Sequence, residues 1–262
     1  MTGLSVFLSV IIALVGFFAV SALVNAKLAK KAERDNPPAG NFIDVGGTRI
    51  HYVERGQGES LVLLHGNGSM IQDFEASGLI SLASKHVRVI AFDRPGFGHT
   101  ERPRQRIWSP EAQAQLFAAA LQQIGVSRAI VFGHSWGTSV AVALGLKYPG
   151  LVRGLVLASG YYYPTPRPDV LLLSVPAIPI LGDVIRYSIS PIISRLMWPR
   201  LVRTIFAPAP IPAKFERFPK EMAFRPSQLR AAAAESAMLI PNAYAAAAHY
   251  KQLAMPVVII AG

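Results

Sequence analysis

Ile130-Val131-Phe132-Gly133-His134-Ser135-Trp136-Gly137-Thr138 decides how this 262-residue chain is read. Three apolar residues of strand character run into a G-x-S-x-G pentad, and a helical segment, Trp136 to Tyr148, follows it. A strand that turns so sharply into a helix leaves no room for side chains at Gly133 and Gly137, where they would strike neighbouring backbone. The serine between them is presented at a helix N-terminus, whose dipole favours developing negative charge. Ser135 is therefore the candidate nucleophile, and Gly133, His134 and Gly137 form its elbow. A bare pentad is common by chance, so the strand–turn–helix setting carries the weight.

Outward from the pentad, short continuous apolar runs recur at Ser60 to Leu64, Val87 to Phe92, Ala129 to Phe132 and Leu155 to Ala158. This is the pattern of strands buried on both faces of a parallel sheet. Helical segments alternate with them: Ile71 to Ser84, Pro110 to Ile124 with Ser109 as its cap, and Trp136 to Tyr148. Ahead of them, Phe42 to Val45 and Arg49 to Glu54 flank Gly46-Gly47 and predict a β-hairpin. The alternation predicts an α/β fold with a mostly parallel sheet flanked by helices over residues 41–159. Residues 160–250 break the alternation and hold thirteen of the twenty prolines, which predicts an inserted helical cap. Within it, the Ala-rich stretch Leu229 to Ala248 reads as one or two helices interrupted at Pro241. Residues 251–262 resume the core, with Pro256 to Ala261 as another buried strand.

Two further turns carry motifs. His65-Gly66-Asn67-Gly68 follows the third strand, and Asp93-Arg94-Pro95-Gly96-Phe97-Gly98-His99-Thr100 follows the fourth. Together with the pentad after the fifth strand, their order and spacing resemble the α/β-hydrolase superfamily, of the kind with a serine nucleophile and a cap inserted after the sixth strand. The resemblance covers residues 41–262. It implies an oxyanion hole built from the backbone N–H groups of Asn67 and Trp136. His65, beside Gly66, invites a catalytic role, but its place in the turn reads rather as a loop-organising hydrogen bond to backbone; the resemblance implies a structural rim role for the Asp93 loop, with His99 at its end.

Haloalkane dehalogenases and epoxide hydrolases, which are similar, place Asp where this chain has Ser135. They need an alkyl ester that water can open at carbonyl carbon, and a serine would leave a stable ether. Asn67 and Trp136 resemble the pair that holds halide in those dehalogenases, but with Ser135 between them they look like oxyanion-hole parts. The resemblance thus implies acyl chemistry on an ester, thioester, amide or activated C–C bond.

A serine hydroxyl needs a base, and in this superfamily the acid and then the histidine follow the nucleophile in sequence. Both family positions lie past Gly262. Of the six histidines, only His249 follows Ser135, and its place on the Ala-rich helix reads as a surface or cap residue. Asp169 is a weak candidate acid, following two Pro-containing turns. The apolar edge at Pro256 to Ala261, with no covering element after it, predicts a chain stopped before its acid and base and catalytically crippled as it stands. The alternative is a catalytically inactive module that binds a ligand or protein partner through its cap.

At the other end, Leu4 to Val24 has no charged residue and is long enough to cross a bilayer, which needs about 20 apolar residues. Lys27, Lys30, Lys31 and Arg34 follow it. A signal peptide is the competing reading, but there is no Lys or Arg ahead of the run. Residues 1–26 are expected to be an uncleaved transmembrane anchor and 27–40 a basic juxtamembrane linker ending in Asn36-Pro37-Pro38-Ala39-Gly40. The positive flank places the main domain on the cytoplasmic side.

The formal net charge is +11, yet no Lys/Arg stripe with interleaved aromatics argues for nucleic acid. Residues 160–251 hold eleven Lys/Arg against five Asp/Glu, which suits a surface near anionic headgroups or a merely solvated basic face. Zero cysteines exclude disulfides, thiolate metal sites and a cysteine nucleophile. Neither metal-ligand spacing, a P-loop nor a dinucleotide fingerprint occurs, so no cofactor is expected. Tyr161-Tyr162-Tyr163, Val170 to Leu173 and Ile178 to Leu181 make the cap unusually apolar. They suggest an apolar small-molecule acyl substrate arriving from the membrane side, or ordinary helix packing within the cap.

Overall fold

The computed structural model describes residues 3–261. Seven strands form one sheet: β1 Asn41–Val45, β2 Thr48–Arg55, β3 Ser60–Leu64, β4 Arg88–Phe92, β5 Ala129–His134, β6 Val152–Ala158 and β7 Val257–Ile260. Their order is β1-β2-β4-β3-β5-β6-β7. The β1–β2 hairpin and the β2–β4 pair are antiparallel, and the pairs from β4 through β7 are parallel. Crossover helices α2 Ile71–Ser77, α3 Leu79–Ala83, α4 Pro110–Gln123 and α5 Trp136–Lys147 cover the sheet.

Alternation along β3 shows why its apolar run needs no polar face. Val62 and Leu64 join Phe117, Leu121, Val140 and Leu144 in the cluster under α4 and α5. Leu63, between them, joins Phe74 and Ile80 on the opposite side, under α2 and α3. Successive side chains of a strand point to opposite faces, so a strand covered on both sides is apolar throughout. The helix expected over Ile71 to Ser84 is divided at Gly78, whose left-handed φ of 85° ends α2 while its N–H bonds Glu75 O.

Three features differ from the sequence reading. Helix α1, Gly3–Asp35, runs beyond residue 26 through the basic flank, leaving only Asn36–Gly40 of the linker non-helical. Ala, Lys, Leu, Glu and Arg are strong helix formers, and the helix stops where Pro37 disfavours helical geometry at the residue before it. Helix α10, Pro226–Ala247, runs without interruption through Pro241. Proline there forfeits one N–H bond, and the Ala-rich sequence on both sides sustains the helix. Strand β7 pairs with β6 as expected, but it is not buried: Val257 to Ile260 are 38% to 63% exposed. It is an edge strand of the sheet among the described residues.

Between β6 and β7 the chain is helical, with α6 Pro168–Ser174, α7 Leu181–Tyr187, α8 Ile189–Phe206, α9 Lys220–Ala223 and α10. Helix α1 packs against α7, α8 and α9.

Candidate active site

Ser135 stands between the end of β5 and the start of α5, with φ 50° and ψ −118°. A non-glycine residue in that region is strained, and the strain is held by what surrounds it. Ser135 N–H donates to Ala158 O at 2.9 Å, and its carbonyl accepts from Thr138 N–H at 3.0 Å and Thr138 Oγ1 at 2.6 Å. A Cβ at Gly137 would collide with the carbonyl of Leu64, and one at Gly133 with the backbone of Gly137. The elbow therefore tolerates glycine alone at both positions.

The loop after β3 presses on the serine from the other side. A Cβ on Gly66 would sit 3.1 Å from Ser135 Cβ and 3.2 Å from His134 Nδ1. Next to it, the backbone N–H of Asn67 and that of Trp136 donate to no acceptor among the described residues. The Trp136 amide belongs to the first turn of α5, where the helix itself supplies no acceptor. The side chain of Asn67 is committed elsewhere: Nδ2 donates to Ala232 O at 3.1 Å and Ser236 Oγ at 3.2 Å, both on α10. Trp136 Nε1 is buried without a partner among the described residues.

His65 organises this loop. Its Nδ1 donates to Gly66 O at 2.8 Å, and Nε2 accepts the Arg94 N–H at 2.9 Å. Full burial, reinforced by the Arg94 charge, lowers its pKa to about 3, so the ring is neutral at ordinary pH. Asp93 is wholly enclosed, accepting from the amides of Ile71 at 2.9 Å and His99 at 3.0 Å, with His51 Nδ1 2.7 Å away. Burial alone would raise its pKa, but the contacts with His51 and the Ile71 amide outweigh burial and lower it. It braces the loop and does not touch Ser135.

Sequence reasoning missed the group that locks the site to the cap. Arg94 Nε and Nη2 donate to the carbonyls of His65 and Gly66 at 2.7 and 3.0 Å, while its Nη1 and Nη2 grip both carboxylate oxygens of Glu235 on α10. Gln113 bridges the same pair, with Nε2 donating to Glu235 at 3.0 Å and Oε1 accepting from Arg94 at 3.1 Å. Arg94 and Glu235 are both fully buried. The available signal was a lone carboxylate in an otherwise Ala-rich helix.

No histidine or carboxylate among the described residues hydrogen-bonds Ser135. His99 Nε2 bonds Asn36 O at 3.0 Å, His249 faces Gln252 at the surface, and Asp169 pairs with Arg167 in solvent. Among the described residues no three His, Asp or Glu side chains converge as a metal site.

The family model for the alpha/beta hydrolase fold matches residues 59–262. The chain belongs to that family. Its curated relatives include haloalkane dehalogenase 2 of Mycobacterium tuberculosis, 27% identical over 214 residues that cover 80% of this chain and 69% of the relative. Another is 2-hydroxymuconate semialdehyde hydrolase of Pseudomonas putida, 31% identical over 126 residues, covering 48% of this chain and 45% of that one. Among solved structures, an epoxide hydrolase superposes with a TM-score of 0.69 at 22% identity, covering 85% of this chain and 81% of the other. An esterase from Thermogutta terrifontis gives 0.66 at 20% identity over 85% and 80%. The relatives are hydrolases, and the fold that presents Ser135 is the hydrolase fold.

Proposed function

We propose that this protein is a membrane-anchored serine hydrolase that cleaves an ester or another acyl bond of a small, apolar substrate. The observation that carries the reading is Ser135 in its strained elbow conformation, backed by Gly66 and flanked by two backbone amides with no acceptor of their own. In this mechanism Ser135 Oγ attacks a carbonyl carbon while its proton passes to a base that the described residues do not supply; the carbonyl π bond opens onto oxygen, whose negative charge the N–H groups of Asn67 and Trp136 receive, and the protonated leaving group departs as the C=O re-forms on the acyl-enzyme. Donors of this kind lower the barrier by several kcal/mol because they need no reorganisation. The positive end of α5 adds to the same field. A serine at the elbow supports an acyl-enzyme rather than the alkyl ester that dehalogenation requires.

His65 supports the reading indirectly, since its neutral ring fixes the loop that presents Asn67. Helix α1 supports the anchor: it is long and apolar enough to cross a bilayer, and most of its apolar stretch is exposed.

A second reading, drawn from the exposed apolar side chains of the cap, is a module that binds a ligand or partner through it. Labelling of membranes carrying the full-length protein with a fluorophosphonate probe separates the two. The hydrolase reading expects covalent labelling that disappears in Ser135→Ala. Equal labelling of parent and variant rejects Ser135 as the nucleophile, and no labelling of either supports the binding module.

A further inference from the structure

Among the described residues, most of the exposed large apolar side chains outside α1 lie in the cap. Leu171 and Leu172 on α6, Ile180 at the mouth of α7, and Leu196 on α8 are 77% to 81% exposed. Along α8, Ile193, Met197, Leu201 and Ile205 recur every four residues and are all exposed, so they form one stripe on one side of the helix. Ile180 is exposed despite a φ of 66°, a conformation that a β-branched residue rarely adopts. Soluble monomers rarely leave apolar patches of more than a few hundred Å² uncovered.

What lies beside this surface identifies its occupant. Ser21 and Asn25, one turn apart at the end of the apolar run of α1, are buried against the junction of α7 and α8. Ser21 Oγ donates to Ser188 O at 2.8 Å, and Asn25 Nδ2 donates to the carbonyls of Tyr187 and Ser188 at 3.0 and 2.9 Å. From Leu4 to Ser21 a helix rises about 26 Å at ~1.5 Å per residue, close to the ~30 Å of a bilayer's hydrocarbon core. The α7–α8 junction is thus pinned at the end of the apolar run of α1, the level at which a spanning α1 would leave the lipid. A seven-residue helix such as α7 is ~10 Å long, a length comparable with the ~5–10 Å depth that interfacial helices occupy. The α6 segment, Pro168–Ala177, meets Leu181–Tyr187 at a 91° bend. Exposed Arg200 and Arg203 accompany the α8 stripe, and Lys27, Lys30, Lys31 and Arg34 follow the span on α1. That placement matches anionic headgroups at the same level.

The geometry points to a second membrane contact: the apolar face of α6, α7 and α8 lies in the bilayer interface beside α1, so that the cap takes apolar substrate directly from lipid. This deepens the proposed function and rests on its reading of α1 as a span. Helix α6 packs on α10, whose Ala232 and Ser236 hold Asn67, so the lipid-facing surface lies one helix away from the loop beside Ser135.

The chain has no cysteine, which makes single-cysteine labelling clean. Leu171→Cys, Ile180→Cys and Leu196→Cys, each carrying an environment-sensitive fluorophore, are reconstituted as the whole chain in phosphatidylcholine/phosphatidylglycerol vesicles. Leu14→Cys on α1 and Ser81→Cys on α3 serve as references. The expected result is blue-shifted emission at the three cap sites, with loss of intensity to nitroxide-labelled lipid as large as at Leu14→Cys, while Ser81→Cys loses intensity only to aqueous iodide. If the cap sites respond to iodide alone while Leu14→Cys responds to lipid, the cap stands in water and the inference is overturned. Protection from both quenchers means that protein covers the face, which also overturns it. If Leu14→Cys itself responds only to iodide, the anchor reading fails and takes this inference with it, whereas fluorophosphonate labelling of Ser135 judges the catalytic reading separately.

Discussion

At the scale of single residues, the site depends on two side chains held in unusual states. Ser135 is strained in its backbone, and His65 is neutral because burial and Arg94 disfavour its charge. A histidine whose pKa falls from 6.5 in the unfolded chain to about 3 in the folded one contributes stability that is complete above pH 6.5. That stability is lost as the pH falls toward 3, because the unfolded chain binds the proton first. His99, half-buried, is shifted the same way. Asp93, lowered from 3.8, adds its own loss only below that value. Urea unfolding should therefore show a midpoint that declines between pH 6.5 and 4, and His65→Gln should flatten that decline. At pH 7, His65→Ala should cost about 1–3 kcal/mol, because the Arg94 N–H and Gly66 carbonyl lose a buried partner.

At the scale of elements, α10 belongs to the site as much as to the cap. Its Glu235 closes the Arg94–Gln113 network 141 residues away in sequence, and its Ser236 and Ala232 hold Asn67. Removing one partner of a buried ion pair leaves an uncompensated charge, so Glu235→Ala should destabilise the fold by about 3–5 kcal/mol in urea unfolding. The double variant Arg94→Met/Glu235→Leu should recover only part of this, since Arg94 also supports the carbonyls of His65 and Gly66. The strands, the elbow and the two loops are legible from sequence because each rests on local sterics or short-period burial. Glu235 is not, because its partner comes from a loop that only the folded sheet brings to it. Pro241 misleads for the opposite reason: a local breaker is overruled by the helix on both sides of it.

At the scale of the molecule, α1 is tied to the hydrolase fold rather than tethered loosely ahead of it. Asn25 makes three hydrogen bonds with the cap, to Tyr187 and Ser188 and from Arg195, and Glu33 pairs with Arg225. At about 0.5–1.5 kcal/mol for each bond, Asn25→Leu should speed amide hydrogen exchange in α7 and the start of α8 by at least about tenfold. Exchange in α4 and α5 should not change. Uniform acceleration throughout the chain would instead mean that Asn25 supports global stability. Part of the +11 net charge has its structural setting here, since the basic residues after the apolar stretch of α1 and those on α8 flank the exposed apolar side chains of both elements.

Sequence alone determined the sheet, the strand–turn–helix elbow at Ser135 and the apolar helix at the start. Strand burial, a turn too tight for side chains, and a long uncharged run are properties of neighbours along the chain. Only the tertiary structure decided that His65 is a neutral brace, that Glu235 locks the loop after β3 to α10, and that α1 docks on the cap. Each of these turns on desolvation or hydrogen bonding between groups far apart in sequence, and their energies exist only once the fold has excluded water between them.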